Sequence, residues 1–161
     1  MKSNLIKTAG AAIAACLGSV LLCVAAPYEK GQAVASFQAK DQHEQAFTFA
    51  PADTRFLLVT HDMDTGKKAN AVLTTVGPDN LIKQKVIYLA NIHGMPAIGR
   101  AFALPKMKKY SHRIILGDDA ELIARFPTEA GKVTVLALKD GKVESIKYWN
   151  PGVDALDGFL K

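Results

Sequence analysis

Two short segments carry side chains able to hold a soft ion or move a proton: His61-Asp62-Met63 and His93-Gly94-Met95. Each is a His-x-Met, and in extended backbone residues two apart project to the same side. Each segment can therefore set an imidazole beside a thioether. If the two segments meet, His61, Met63, His93 and Met95 form a donor set suited to Cu(I). The plainer assignment for each is packing or surface placement. Asp62, Asp64, Asp118 and Asp119 offer hard oxygen donors, yet carboxylates at such places also cap helices and form turns. His43 and His112 fall in turn-like sequence and are expected at the surface, and Trp149 ends a strand in the core or at its rim. No Gly-x-Gly-x-x-Gly, phosphate loop or Gly-x-Ser-x-Gly is present, which leaves nucleotide, flavin and serine-hydrolase chemistry without a motif.

The elements that must position these segments follow from apolar patterning. Residues 31–50 read as an extended lead-in and a small hairpin around Asp41-Gln42. Residues 55–60, RFLLVT, are a continuous apolar run, as in a strand buried on both faces. Asp64 or Thr65 can cap a helix over 67–76, where Ala69, Val72, Leu73 and Val76 share one face and Gly77-Pro78 is the stop. A second buried strand spans 86–90. Residues 97–109 predict a short helix interrupted at Pro105, residues 113–116 a third strand, and 121–125 a helical turn. Strands 132–138 and 142–149 flank Asp140-Gly141, a strong hairpin turn, and 152–160 closes the chain as a short helix. Helical crossovers make the first three strands parallel, and the hairpin adds antiparallel strands at one side. The expected architecture is an α/β three-layer sandwich with a mixed central sheet.

The first 25 residues have two lysines and no acid, then an Ala-rich apolar run that ends in small residues before Pro27, the layout of a secretory signal. Cleavage is expected after Ala25 or Ala26, with Ala25 preferred because Pro27 follows so closely, leaving one domain over 26–161. A competing reading lipidates Cys16, since Ile13-Ala14-Ala15-Cys16 resembles a lipoprotein box. Cys16 and Cys23 are the chain's two cysteines, so residues 26–161 have none and no disulfide can staple them. Loss of Lys2 and Lys7 would lower the formal charge from +5 to about +3. With Lys106-Met107-Lys108-Lys109 as the only cluster, reading as a solvated helix end, nucleic acid is not an expected partner. No further segment is apolar enough to span a bilayer after cleavage.

The order of elements resembles the thioredoxin-like superfamily, in particular its peroxiredoxin and redoxin branch. The stretch LGDDAELIARFPTEAGKVTVLALKDGKVESIKYW, residues 116–149, is similar to the closing half of a redoxin domain, and GQAVASFQAKDQHEQAFTF, residues 31–49, to its N-terminal hairpin. Small exported bacterial thioredoxin-like proteins share this pattern. The resemblance implies a reactive cysteine at the start of the helix after the first central strand, where a helix N-terminus lowers a thiol's pKa. Here that stretch reads Thr60-His61-Asp62-Met63-Asp64-Thr65-Gly66-Lys67, without cysteine. Pro127 falls near the place of the family's cis-proline, displaced by the insert 128–131. The expectation is thus a periplasmic or secreted bacterial protein, more a binding or accessory component than an enzyme, without thiol redox activity. Its partner would be an envelope protein or a small ligand. Copper binding through the two His-x-Met loops is one alternative, and a cysteine-independent oxidoreductase with an unidentified cofactor is another.

Overall fold

The computed structural model describes residues 26–161. Its strands form one seven-stranded sheet of order β2-β1-β5-β4-β3-β6-β7. The centre is β3 (Phe56–Thr60), paired in parallel with β4 (Val86–Asn91), which pairs in parallel with β5 (Ile115–Gly117). The hairpin β6 (Val133–Lys139) and β7 (Lys142–Trp149) joins antiparallel on the free side of β3. A small hairpin, β1 (Gln38–Asp41) and β2 (Ala46–Thr48), extends the sheet antiparallel beyond β5. The mixed sheet, its parallel centre and both hairpins match the sequence expectation.

Strand alternation divides the interior into two cores, which makes the architecture three-layered. In β3, Phe56 and Leu58 enter one core, whereas Leu57 and Val59 enter the other. In β6, Val133, Val135 and Ala137 face the first and Leu136 and Leu138 the second. All five residues of β3 are buried, which explains its unbroken apolar sequence. The first core is covered by α1 (Met63–Val76) through Ala69 and Leu73 and by α2 (Pro78–Lys83) through Leu81. Fully burying a side chain such as Leu73 contributes about 2 kcal/mol. The second core is closed by Tyr28, Val34, Phe49 and α4 (Ala120–Ala124), whose Leu122 and Ile123 pack on it.

Because β3, β4 and β5 advance in one direction across the sheet, right-handed crossovers put α1 and α3 (Ala97–Met107) on the same face. The two differ in how they sit. Helix α1 buries five residues, but α3 buries none, and Ile98 and Phe102 on it stay 71% and 68% exposed. Only its last residue, Met107, packs on the first core, followed by Tyr110 just beyond the helix.

Several boundaries depart from the sequence expectation. Helix α1 starts at Met63, four residues early, because Asp62 rather than Asp64 or Thr65 is the cap. Pro78 opens α2 at its first position, where the missing N–H costs nothing, instead of only ending α1. Pro105 lies inside α3 without interrupting it; in the last turn it forfeits one backbone bond. The third parallel strand is β5, two residues later than expected, and a 3-10 turn (Leu156–Gly158) replaces the closing helix. His112 is not a surface residue but 1% exposed, and Trp149 is fully buried. The described residues contain no cis peptide bond, so Pro127 is trans. Cys16, Cys23, the signal and the lipoprotein box lie outside the described residues.

Candidate functional site

The chain leaves β3 through Thr60-His61 and enters α1 at Asp62, whose extended backbone (φ −137°, ψ 162°) suits a cap. Its Oδ1 accepts the Thr65 amide at 2.8 Å and its Oδ2 the Thr65 hydroxyl at 2.7 Å. Burial pulls the Asp62 carboxyl upward, but the two bonds from Thr65, together with the Asp64 amide and nearby His61, outweigh it and hold the group below the ordinary carboxylate range. The helix end that would stabilise a thiolate here stabilises a carboxylate fixed within its own turn. A carboxylate cannot cycle between thiol and disulfide.

Beside this end lies a groove of about 230 Å³ between α1 and α3, over the ends of β3 and β4. Met63, Met95, Phe102 and Met107 give it apolar walls, and Tyr110, Lys67 and Lys106 are also on its lining. Gly99 lets Met95 fold against α3, since a Cβ there would come within 3.2 Å of the Met95 Cγ. The floor is polar yet internally paired. Thr60 Oγ1 lies 3.1 Å from Tyr88 Oη, and Asn70 Oδ1 lies 2.9 Å from His112 Nε2. Burial drives the Tyr88 phenol upward, so it stays protonated. Asn91 donates to the His61 carbonyl at 3.3 Å and accepts the His93 amide at 2.9 Å.

The four sequence-nominated donors divide in this geometry. Met63 and Met95 line the same groove, but His61 and His93 are not part of its lining. His61 is half-buried, with Nε2 3.5 Å from Thr134 Oγ1 on β6, and burial lowers its pKa. His93 is exposed and lies on the β5 side, where its amide also bonds the Gly117 carbonyl. The two rings thus sit toward opposite flanks of the β3–β4 pair. Asp118 is paired with Arg100 at 2.5 Å and Asp119 caps α4 through the Leu122 amide, while Asp64 pairs with Lys67 at 3.3 Å. Among the described residues no three His, Cys, Asp or Glu side chains gather as a metal cluster.

Sequence reasoning missed the α3 wall and the buried His112 that bonds the floor residue Asn70. Gly99, Ala103 and Met107 recur at helical spacing, which places them on one face. That periodicity was legible, but α3 is apolar on more than one side, so it did not single out the groove face. His112 had no comparable pattern.

No protein-family model matches the sequence, and no curated protein matches it. Solved structures do. A Chlorobium tepidum protein described as the thiol:disulfide interchange protein DsbE aligns over 83% of this chain and 96% of its own at 11% identity, with a TM-score of 0.60. A peroxiredoxin-like protein from Aquifex aeolicus covers 85% of this chain and 86% of its own at 10% identity, TM-score 0.55. The thioredoxin domain of a Bacteroides vulgatus thiol-disulfide oxidoreductase covers 83% and 99% at 12% identity, TM-score 0.53. Likeness at these identities speaks for the fold alone.

Proposed function

Given that the fold is thioredoxin-like, we propose that residues 26–161 form an exported binding or accessory domain without thiol redox activity, and that the α1–α3 groove is its binding site. The observation that carries this reading is Asp62: it stands at the helix N-terminus where the redoxin resemblance implies a reactive cysteine, with its carboxylate engaged by Thr65. Residues 26–161 hold no cysteine elsewhere to take over that role. Export rests on the signal-like pattern of residues 1–25. No helix among the described residues is long and apolar enough to cross a membrane.

The test uses the full chain carrying Cys16→Ser and Cys23→Ser. Its dithiothreitol-driven insulin reduction and peroxide consumption should equal the protein-free rate, while the apolar dye N-phenyl-1-naphthylamine should brighten on binding. Turnover above background, or a dye signal that stays dark, would sink the reading. Export is checked by the N-terminal residue of protein recovered from the cell envelope, expected at Ala26.

A soft-metal role keeps one supporting observation, the placement of Met63 and Met95 on one groove. It requires that Cu(I) competition weaken in a Met63→Leu/Met95→Leu variant; unchanged affinity would remove the soft-metal reading.

A further inference from the structure

Resting on that binding role, we infer that the α1–α3 groove takes an apolar chain ending in an anion, of the class of a medium-chain carboxylate. Three features of the groove converge on this ligand.

The first is the unfilled apolar surface of α3. An eleven-residue helix with no buried residue and with Phe102 68% exposed leaves about 230 Å³ between itself and α1. An apolar chain in that space would remove Phe102 and its neighbours from water, which is the principal gain available there. Met63, Met95 and Met107, every methionine after Met1, lie on its lining. Unbranched thioether side chains adapt to flexible aliphatic shapes better than branched ones do.

The second is the state of the floor. Thr60 bonds Tyr88, Asn70 bonds His112, and Asn91 uses both ends of its amide on the backbone. These groups already have partners, so a polar ligand body would lose its water without full replacement. The groove favours an apolar body.

The third is charge. One helical turn beyond Met63 stands Lys67, and one turn beyond Phe102 stands Lys106, so each wall runs from apolar to cationic at i, i+4. Their methylene stems can line the groove while the ammonium groups stay in water. Lys67 is held only by the exposed Asp64 at 3.3 Å, and Lys106 has no ion pair among the described residues. The one acid on the lining, Asp62, is occupied with Thr65. An anionic head therefore meets two available cations.

The experiment displaces N-phenyl-1-naphthylamine from the full-length Cys16→Ser/Cys23→Ser protein with decanoate, decanol or decyltrimethylammonium at pH ~7.5, where the carboxylate is ionised. Decanoate should bind roughly fivefold to tenfold tighter than decanol, the scale of one or two solvent-exposed ion pairs, and the cation should bind weakest. A Lys67→Met/Lys106→Met variant should keep decanol affinity and lose the decanoate advantage. If the dye binds but all three competitors displace it equally, the anionic-head inference falls and the binding role stands. If the dye does not bind, both fall.

Discussion

Asp62 and Thr65 are joined twice, through the Thr65 amide at 2.8 Å and its hydroxyl at 2.7 Å. The pairing engages both carboxylate oxygens of Asp62 within the strand-to-helix turn. A helix N-terminus offers unpaired N–H groups and partial positive charge to whatever anion sits there. In this chain the anion is built in, and its bonds are internal to the turn. The neighbouring groove instead presents apolar side chains, those of Met63, Met95, Phe102 and Met107.

The cap can be removed or replaced. Asp62→Ala should cost about 1 kcal/mol of unfolding free energy in urea titration, the usual loss for an N-cap carboxylate. Asp62→Cys in the Cys16→Ser/Cys23→Ser background should give a thiol that ionises below the usual value of about 8.5, read from thiolate ultraviolet absorbance. An unshifted thiol would mean that this helix end does not stabilise anions, and the account of Asp62 would fail.

Gly66 sits in α1 directly over the floor hydroxyls. A Cβ there would lie 3.8 Å from both Thr60 Oγ1 and Tyr88 Oη, which is ordinary contact. Gly66→Ala should therefore gain up to about 1 kcal/mol in thermal or urea melts, from helix propensity without a clash. Gly66→Leu should instead fill the groove and abolish the dye signal while the protein remains folded by circular dichroism. Undiminished dye binding in that variant would place the ligand elsewhere.

The central architecture was legible because β3, β4 and β6 announce themselves by apolar runs, and the Asp140-Gly141 turn by its residue types. The helix start was less so: Asp62, Asp64 and Thr65 are all competent caps, and only the extended backbone at Asp62 decides among them. The paired His-x-Met motifs were legible as types but not as a site. Which way an imidazole leans depends on side-chain contacts such as His61 with Thr134, 73 positions apart, and no local pattern encodes these. His112 was misplaced for a related reason. Its burial follows from Asn70 reaching it across the sheet-to-helix gap and from the rings of Tyr88 and Tyr110, centred 6.1 Å and 5.4 Å away.

Arg100 holds α3 in place. Its guanidinium donates to the Met95 carbonyl at 3.0 Å, the Ile92 carbonyl at 3.1 Å and both oxygens of Asp118 at 2.5 and 2.6 Å. Since α3 contributes no buried residue, these bonds stand in for the buried packing that holds α1 and α2. Arg100→Ala should accelerate amide hydrogen exchange across residues 101–107 and leave β6 protected, which separates local opening from global unfolding. Equal acceleration in both would show that Arg100 supports the whole domain rather than α3.

His112 should make stability depend on mildly acidic pH. Its ring is 1% exposed, Nε2 is bonded to Asn70, Nδ1 has no partner, and burial lowers its pKa from 6.5 to about 4. A base whose pKa is lower folded than unfolded binds fewer protons in the native state, so acid favours unfolding. Its contribution is complete above pH 6.5 and is lost progressively as pH falls toward about 4. The full loss is on the order of 3 kcal/mol, with about 2 kcal/mol gone by pH ~5. Burial of His61 acts in the same direction, whereas Asp41, Asp62 and Asp118, all held below the ordinary carboxylate range, act at lower pH. Comparison with His112→Gln isolates the His112 share, because glutamine can still bond Asn70 but does not titrate. Urea unfolding from pH ~5 to ~7 should rise steeply in stability for the unsubstituted protein and more gently for the variant. Parallel profiles would show that His112 is not held neutral in the folded protein.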